Sequence, residues 1–282
     1  TNEGTKGVSQ DIWDDYSFDN ESFHNTYKME DLKIASSFGD HIVPADYIYA
    51  IDSNSKDNKT VIMVHGLGGN RHTNYPIAVF FLEQGYNVVT YDQRSSNDNT
   101  AEYTTFGYFE KFDLIDCIKY VEEQAPAQKI GVWGASFGGA TAGLAIGYED
   151  MDERVDFLIL DSPVSSMEWM LKDTMKDMDV GIPLSYLSWC GNVVNKLKLG
   201  FTYQDADVPS AMKNVKTPVL IFNSKADTLT PYFMGKDIYD AIPNNNKEIW
   251  TVDDSNHFSM WQDYNQEYRD KMESFIHAIK EY

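Results

Sequence analysis

The chain has 282 residues, 42% hydrophobic and 14% aromatic, enough to bury one large core, and single α/β domains reach this size. Lysine and arginine number 23 against 44 aspartate and glutamate, a net charge of −21, so nucleic acid and anionic membranes are poor partners and neutral or cationic substrates are preferred. No apolar run is long enough to cross a bilayer, and no basic-then-apolar leader opens the chain.

Beginning at Thr1 rather than at methionine leaves room for a removed upstream signal or anchor, so the expectation is a soluble domain, cytoplasmic or extracytoplasmic, with a monomer as the default. Residues 1–30 are polar and aromatic without a clear period and read as an N-terminal extension. Two stretches rich in β-formers follow, at 32–35 and 42–51, and suggest an opening antiparallel pair. The pattern then changes to strands alternating with helices, which predicts a mostly parallel, doubly wound α/β sheet with helices on both faces. Buried strands read as short apolar runs at 60–64, 87–91, 130–133, 157–160, 219–222 and 248–252, with helices at 75–83, 110–123, 137–146, 232–241 and 266–279.

The alternation breaks between Asp161 and Lys216. There Met167, Met170, Leu171, Met175 and Met178 fall at helical spacings, Pro183 interrupts, and 184–189 followed by 193–197 suggests a second helical piece. The predicted organisation is a core of 31–162 and 215–282 carrying a helical cap insertion at 163–214. Most of the insertion's methionines read as core packing. Met167, Trp169, Met170, Leu187 and Trp189 are nonetheless its candidates for an apolar pocket roof.

Gly134-Ala135-Ser136-Phe137-Gly138 lies between the run ending at Trp133 and the helical segment after it. A serine on a sharp strand-to-helix turn needs neighbours without a Cβ two residues to either side, so Ser136 is the candidate nucleophile. A serine hydroxyl is weak until a base takes its proton, and histidine titrates near neutrality. His257, in the loop between the last strand and the last helix, is placed best; His65 sits at a strand end within a different motif, and His24, His41, His72 and His277 read as surface or structural. Asp227, in the loop after the strand ending at Phe222, is the candidate orienting acid, ahead of Asp253 and Asp254, with Asp161 third. The glycine-rich segment His65-Gly66-Leu67-Gly68-Gly69-Asn70 lets backbone approach a ligand closely, and the N–H groups of Leu67 and Phe137 are the expected oxyanion donors.

From about Leu32 onward, with this serine turn, His65-Gly66-Leu67-Gly68, and the order Ser136, Asp227, His257, the chain resembles the α/β-hydrolase superfamily, and within it the serine-aminopeptidase and monoglyceride-lipase-like branch. The resemblance implies a cap between the sixth and seventh strands. Tyr91-Asp92-Gln93-Arg94-Ser95-Ser96 matches the family's Asp-x-Arg start but lacks the glycine that usually follows; Asp92 and Arg94 read as structural.

The leading expectation is a serine hydrolase that cleaves small neutral acyl or aryl esters through an acyl-enzyme. An amidase or exopeptidase on small peptides is the alternative, and a binding protein of the same fold that has lost catalysis the third. No cofactor is expected, and no spacing resembles a metal site. Cys117 and Cys190 read as unpaired buried thiols, with a disulfide left open.

Overall fold

The apolar runs are strands because β-branched and aromatic side chains pack well on a pleat that is covered on both faces. The computed structural model describes residues 2–51, 59–125, 129–176 and 181–279; Met178, counted above among the helical spacings, lies outside them. Among the described residues eight strands form one sheet: β1 (Met29–Ala35), β2 (Ile42–Ile48), β3 (Lys59–Val64), β4 (Asn87–Tyr91), β5 (Lys129–Ala135), β6 (Phe157–Asp161), β7 (Val219–Ser224) and β8 (Lys247–Val252). Their order is β1-β2-β4-β3-β5-β6-β7-β8. The pairs β1–β2 and β2–β4 are antiparallel, and every other pairing is parallel.

Successive strand residues face opposite sides, so each central strand supplies two cores. Ile62, Val64, Val132, Leu158 and Ile221 share one core with α5 (Glu110–Gln124), α6 (Phe137–Ile146) and α10 (Phe233–Ala241). Val61, Met63, Trp133, Ile159 and Phe222 share the other with α4 (Tyr75–Glu83), α11 (Met260–Asp263) and α12 (Asn265–Ile279). The sheet with helices on both faces is therefore as expected from the alternation.

The first thirty residues hold more structure than their sequence announces. They form α1 (Asn2–Thr5), α2 (Val8–Asp15) and α3 (Asn20–Thr26) before β1 begins at Met29. Helices this short show no readable period and are marginal in isolation, so tertiary contact must hold them. Aromatic packing supplies it: the rings of Trp13 and Phe23 stack on Tyr75 with centroids 6.1 and 4.9 Å away.

Between β6 and β7 stand α7 (Met167–Met175), capped by the Ser166 hydroxyl accepting from Trp169 N, and α8 (Leu184–Leu199), closed by Gly200 in the left-handed region at φ 84°. The second helical piece expected after Pro183 is this one continuous helix. A bridge between Ser166 and Asp207 pins the base of this helical insertion. After it comes the short α9 (Val208–Ala211). Val208 and Met212 are fully buried in the core, beside α6 and α10. Both cysteines are free thiols, Cys117 buried and Cys190 only half-buried.

Candidate active site

Strand β5 ends at Ala135 and α6 begins at Phe137, leaving Ser136 on the turn at φ 53° and ψ −116°. A non-glycine residue held there costs about 1–3 kcal/mol and persists only if its surroundings fix it. The Ser136 N–H donates to the Asp161 carbonyl at 2.8 Å, and the Ser136 carbonyl accepts from Gly139 N at 3.0 Å and Val164 N at 3.1 Å. The flanking glycines are required by contact. A Cβ on Gly134 would lie 2.5 Å from the Gly138 carbonyl oxygen, and one on Gly138 would lie 2.1 Å from that of Val64.

His257 follows β8 and presents Nε2 to the Ser136 hydroxyl at 3.0 Å. Its Nδ1 lies 2.8 Å from Asp227 Oδ2 and 3.1 Å from Thr230 Oγ1. The Asp227 carboxylate can only accept, so the proton sits on Nδ1 and Nε2 is free to accept from serine. Asp227 is buried and also accepts from the backbone N–H groups of Leu229 and Thr230, both at 2.9 Å, and from the Thr230 hydroxyl at 2.8 Å. Burial pushes its carboxyl up, but His257 and the Thr230 donors outweigh that and hold it below the usual range.

The competing residues are engaged elsewhere. Asp253 is exposed and paired with Lys225 at 2.7 Å, while Asp254 accepts from the Tyr264 hydroxyl. Asp161 is fully buried and accepts from the hydroxyls of Tyr268 at 2.8 Å and Ser162 at 3.0 Å. Burial lifts its carboxyl to about 6 despite those donors. His65 is buried and accepts the Gln93 N–H on Nε2 at 3.0 Å, which leaves Nδ1 to donate to the Gly66 carbonyl at 2.8 Å. Burial lowers its pKa, so a neutral ring clamps the glycine loop.

These groups open onto a cavity of about 250 Å³ whose lining includes Gly66, Leu67, Ser136, Phe137 and His257. A Cβ on Gly66 would lie 3.5 Å from Ser136 Cβ, so the loop backbone passes directly against the serine. Of the five expected roof residues, Met170 is in the lining and the other four are not. Met167 is buried in the core, the Trp169 ring packs on Phe233 with centroids 5.5 Å apart, Leu187 is half-buried away from the cavity, and Trp189 is 60% exposed beside Tyr186. Neighbouring helix residues point about 100° apart, so sharing a helix does not make them share a wall.

Other members of the site escape the sequence reading. Thr230 had a signal, an aspartate-x-x-threonine turn, whereas Gln93 had only its place after Asp92. The Gln93 side chain receives the Thr141 hydroxyl at 2.7 Å and donates to the His65 carbonyl at 2.5 Å, joining α6 to the glycine loop. Ile12 and Phe258 also line the cavity, and nothing in the sequence brings Ile12 near Ser136. Among the described residues no group of three or more His, Cys, Asp or Glu side chains could hold a metal ion.

The sequence model of the alpha/beta hydrolase fold matches residues 59–199, half of the chain. The chain belongs to the α/β-hydrolase fold family. The Bacillus subtilis protein YqkD is 24% identical to this α/β hydrolase over 240 residues, spanning 83% of the chain and 78% of the relative. The lysophosphatidylserine lipase ABHD12 of Danio rerio is 24% identical over 193 residues, which are 64% of the chain and 46% of that protein. Among solved structures, the Pyrococcus furiosus esterase Pf2001 superposes on this α/β hydrolase with a TM-score of 0.70 at 22% identity, covering 94% of the chain and 95% of the esterase. The fold is thus shared over nearly the whole length, well beyond the residues that the family model matches.

Proposed function

We propose that this chain is a serine hydrolase acting on small neutral acyl or aryl esters. The observation that carries the reading is the continuous line from Ser136 Oγ to His257 Nε2 at 3.0 Å and from His257 Nδ1 to Asp227 at 2.8 Å, at the mouth of an apolar cavity. In the proposed reaction Ser136 attacks the acyl carbon while His257 takes its proton, and Asp227 stabilises the imidazolium. The backbone N–H groups of Leu67 and Phe137 receive the oxyanion; each such donor is worth about 10²–10³ in rate. His257 returns the proton to the leaving alcohol, then activates the water that releases the acid.

The named activities of two relatives, an esterase and a lysophospholipid lipase, agree with ester chemistry. The anionic headgroup of the latter's substrate does not suit a surface of charge −21, so it is not carried over. An exopeptidase needs a partner for the substrate's ammonium, and none of the described lining residues is acidic. A helical insertion between β6 and β7 is the feature that favours the monoglyceride-lipase-like branch within the superfamily.

Ser136→Ala is expected to abolish both fluorophosphonate labelling and turnover of a nitrophenyl ester panel while leaving the melting curve in place. Full hydrolysis by that variant would overturn the mechanism.

A further inference from the structure

One wall of the cavity comes from the N-terminal extension. Ile12 of α2 lines it together with Met170 of α7, and the segment around Ile12 is fastened on both sides of the serine. On one side the Asn70 amide donates to the Thr5 carbonyl at 2.8 Å and the Trp13 indole N–H donates to the His72 carbonyl at 3.0 Å. Both partners belong to the stretch that begins with the Leu67 loop. On the other side the Tyr16 hydroxyl donates to the carbonyl of Phe258, the residue after His257, at 3.4 Å, with ring centroids 6.4 Å apart. Phe258 is itself held at φ 56° and lines the cavity.

We propose that α2 is a wall of the acyl site and that Ile12 sets the acyl chain length it accepts. This rests on the ester-hydrolase reading of Ser136. Ligand sites commonly run from about 300 to 1,000 Å³. At about 250 Å³ this cavity is small, so the size of one branched side chain in its wall alters the room left for an acyl chain. The cavity lining is mostly apolar, Phe106, Val164 and Leu229 among it, so the group bound there is an alkyl or single-ring acyl chain rather than a polar one. The bond to the Thr5 carbonyl and the side-chain bonds of Trp13 and Tyr16 anchor the helix that carries Ile12 on the glycine loop and on the residue after His257. The wall is therefore fastened to the site as a unit rather than free to leave when a longer chain enters.

The test uses the full chain with Ile12→Ala and Ile12→Trp, and nitrophenyl esters from acetate to decanoate. A misfit of one or a few methylenes changes kcat/KM by about tenfold or more. The ratio of octanoate to butyrate kcat/KM is expected to rise about tenfold in Ile12→Ala and to fall about tenfold in Ile12→Trp. An unchanged ratio in both variants, or an equal loss on every ester, overturns the proposal, since a brace without a wall would lower all esters alike. Should the unsubstituted protein hydrolyse no ester, the hydrolase reading fails by itself. The wall is then read from calorimetric binding of unreactive N-alkyl acetamides, whose preferred length must shift to longer chains in Ile12→Ala if α2 bounds the site and stay put if it does not.

Discussion

Asp161 and Asp227 are buried aspartates at the carboxyl edge of the same sheet, and their surroundings push them in opposite directions. Asp227 receives four donors and is held low, so it contributes stability above its unfolded pKa that is lost as pH falls through the folded one. Asp161 receives two hydroxyls and no cation in contact, and burial lifts it from 3.8 to about 6. The folded state therefore holds the Asp161 proton more tightly than the unfolded one, and stability is lost as pH rises from about 4 to about 6. A shift of roughly two units corresponds to at most about 3 kcal/mol. Asp161→Asn keeps an acceptor for Tyr268 and removes the titration. Its stability relative to the parent should climb by up to that amount between pH 4 and pH 7.5 in urea unfolding. A difference that is flat across that range would contradict the assignment.

At the Ser136 turn, β3, β5 and α6 approach too closely for side chains at two points. Gly138 packs its α-carbon against the backbone of β3, where an added Cβ would meet the Val64 carbonyl oxygen at 2.1 Å and that of His65 at 2.6 Å. Backbone cannot rotate aside as a side-chain tip can. Gly138→Ala is accordingly expected to lower stability by about 3 kcal/mol or more and to remove fluorophosphonate labelling, both readable from a melting curve and intact mass. A variant that melts and labels like the parent would mean that the turn tolerates more room than its contacts allow. The helical insertion behaves differently. Its exposed residues Tyr186, Trp189 and Leu197 lie outside the cavity lining, and among the described residues of its helices only α7 reaches the site, through Met170.

At the scale of the whole molecule the surplus of acidic over basic residues, 44 against 23, sets a field rather than a contact. The ratio of kcat/KM for a choline ester over its uncharged carbon isostere should be largest at about 0.01 M ionic strength and approach unity by about 0.5 M, as the Debye length shrinks from about 30 Å to a few ångströms. A ratio that ignores salt would show that local contacts, not the field, choose the substrate. The alternation of strands and helices, the serine turn and the identity of Ser136, Asp227 and His257 as candidates were legible in the amino-acid sequence. Apolar runs, glycine spacing and loop position are local properties, and neighbouring residues along the chain carry them. The short N-terminal helices, the link through Gln93 and the choice of Met170 over its neighbours were not. Each depends on which side chains distant segments bring together: α2 has too few turns to display a period, and the rotation of α7 is fixed only when it packs against α8 and Phe233. The sequence by itself determined the layered α/β architecture and nominated the reacting groups; tertiary packing alone decided which residues wall the cavity, because a wall is a relation between segments that no local pattern contains.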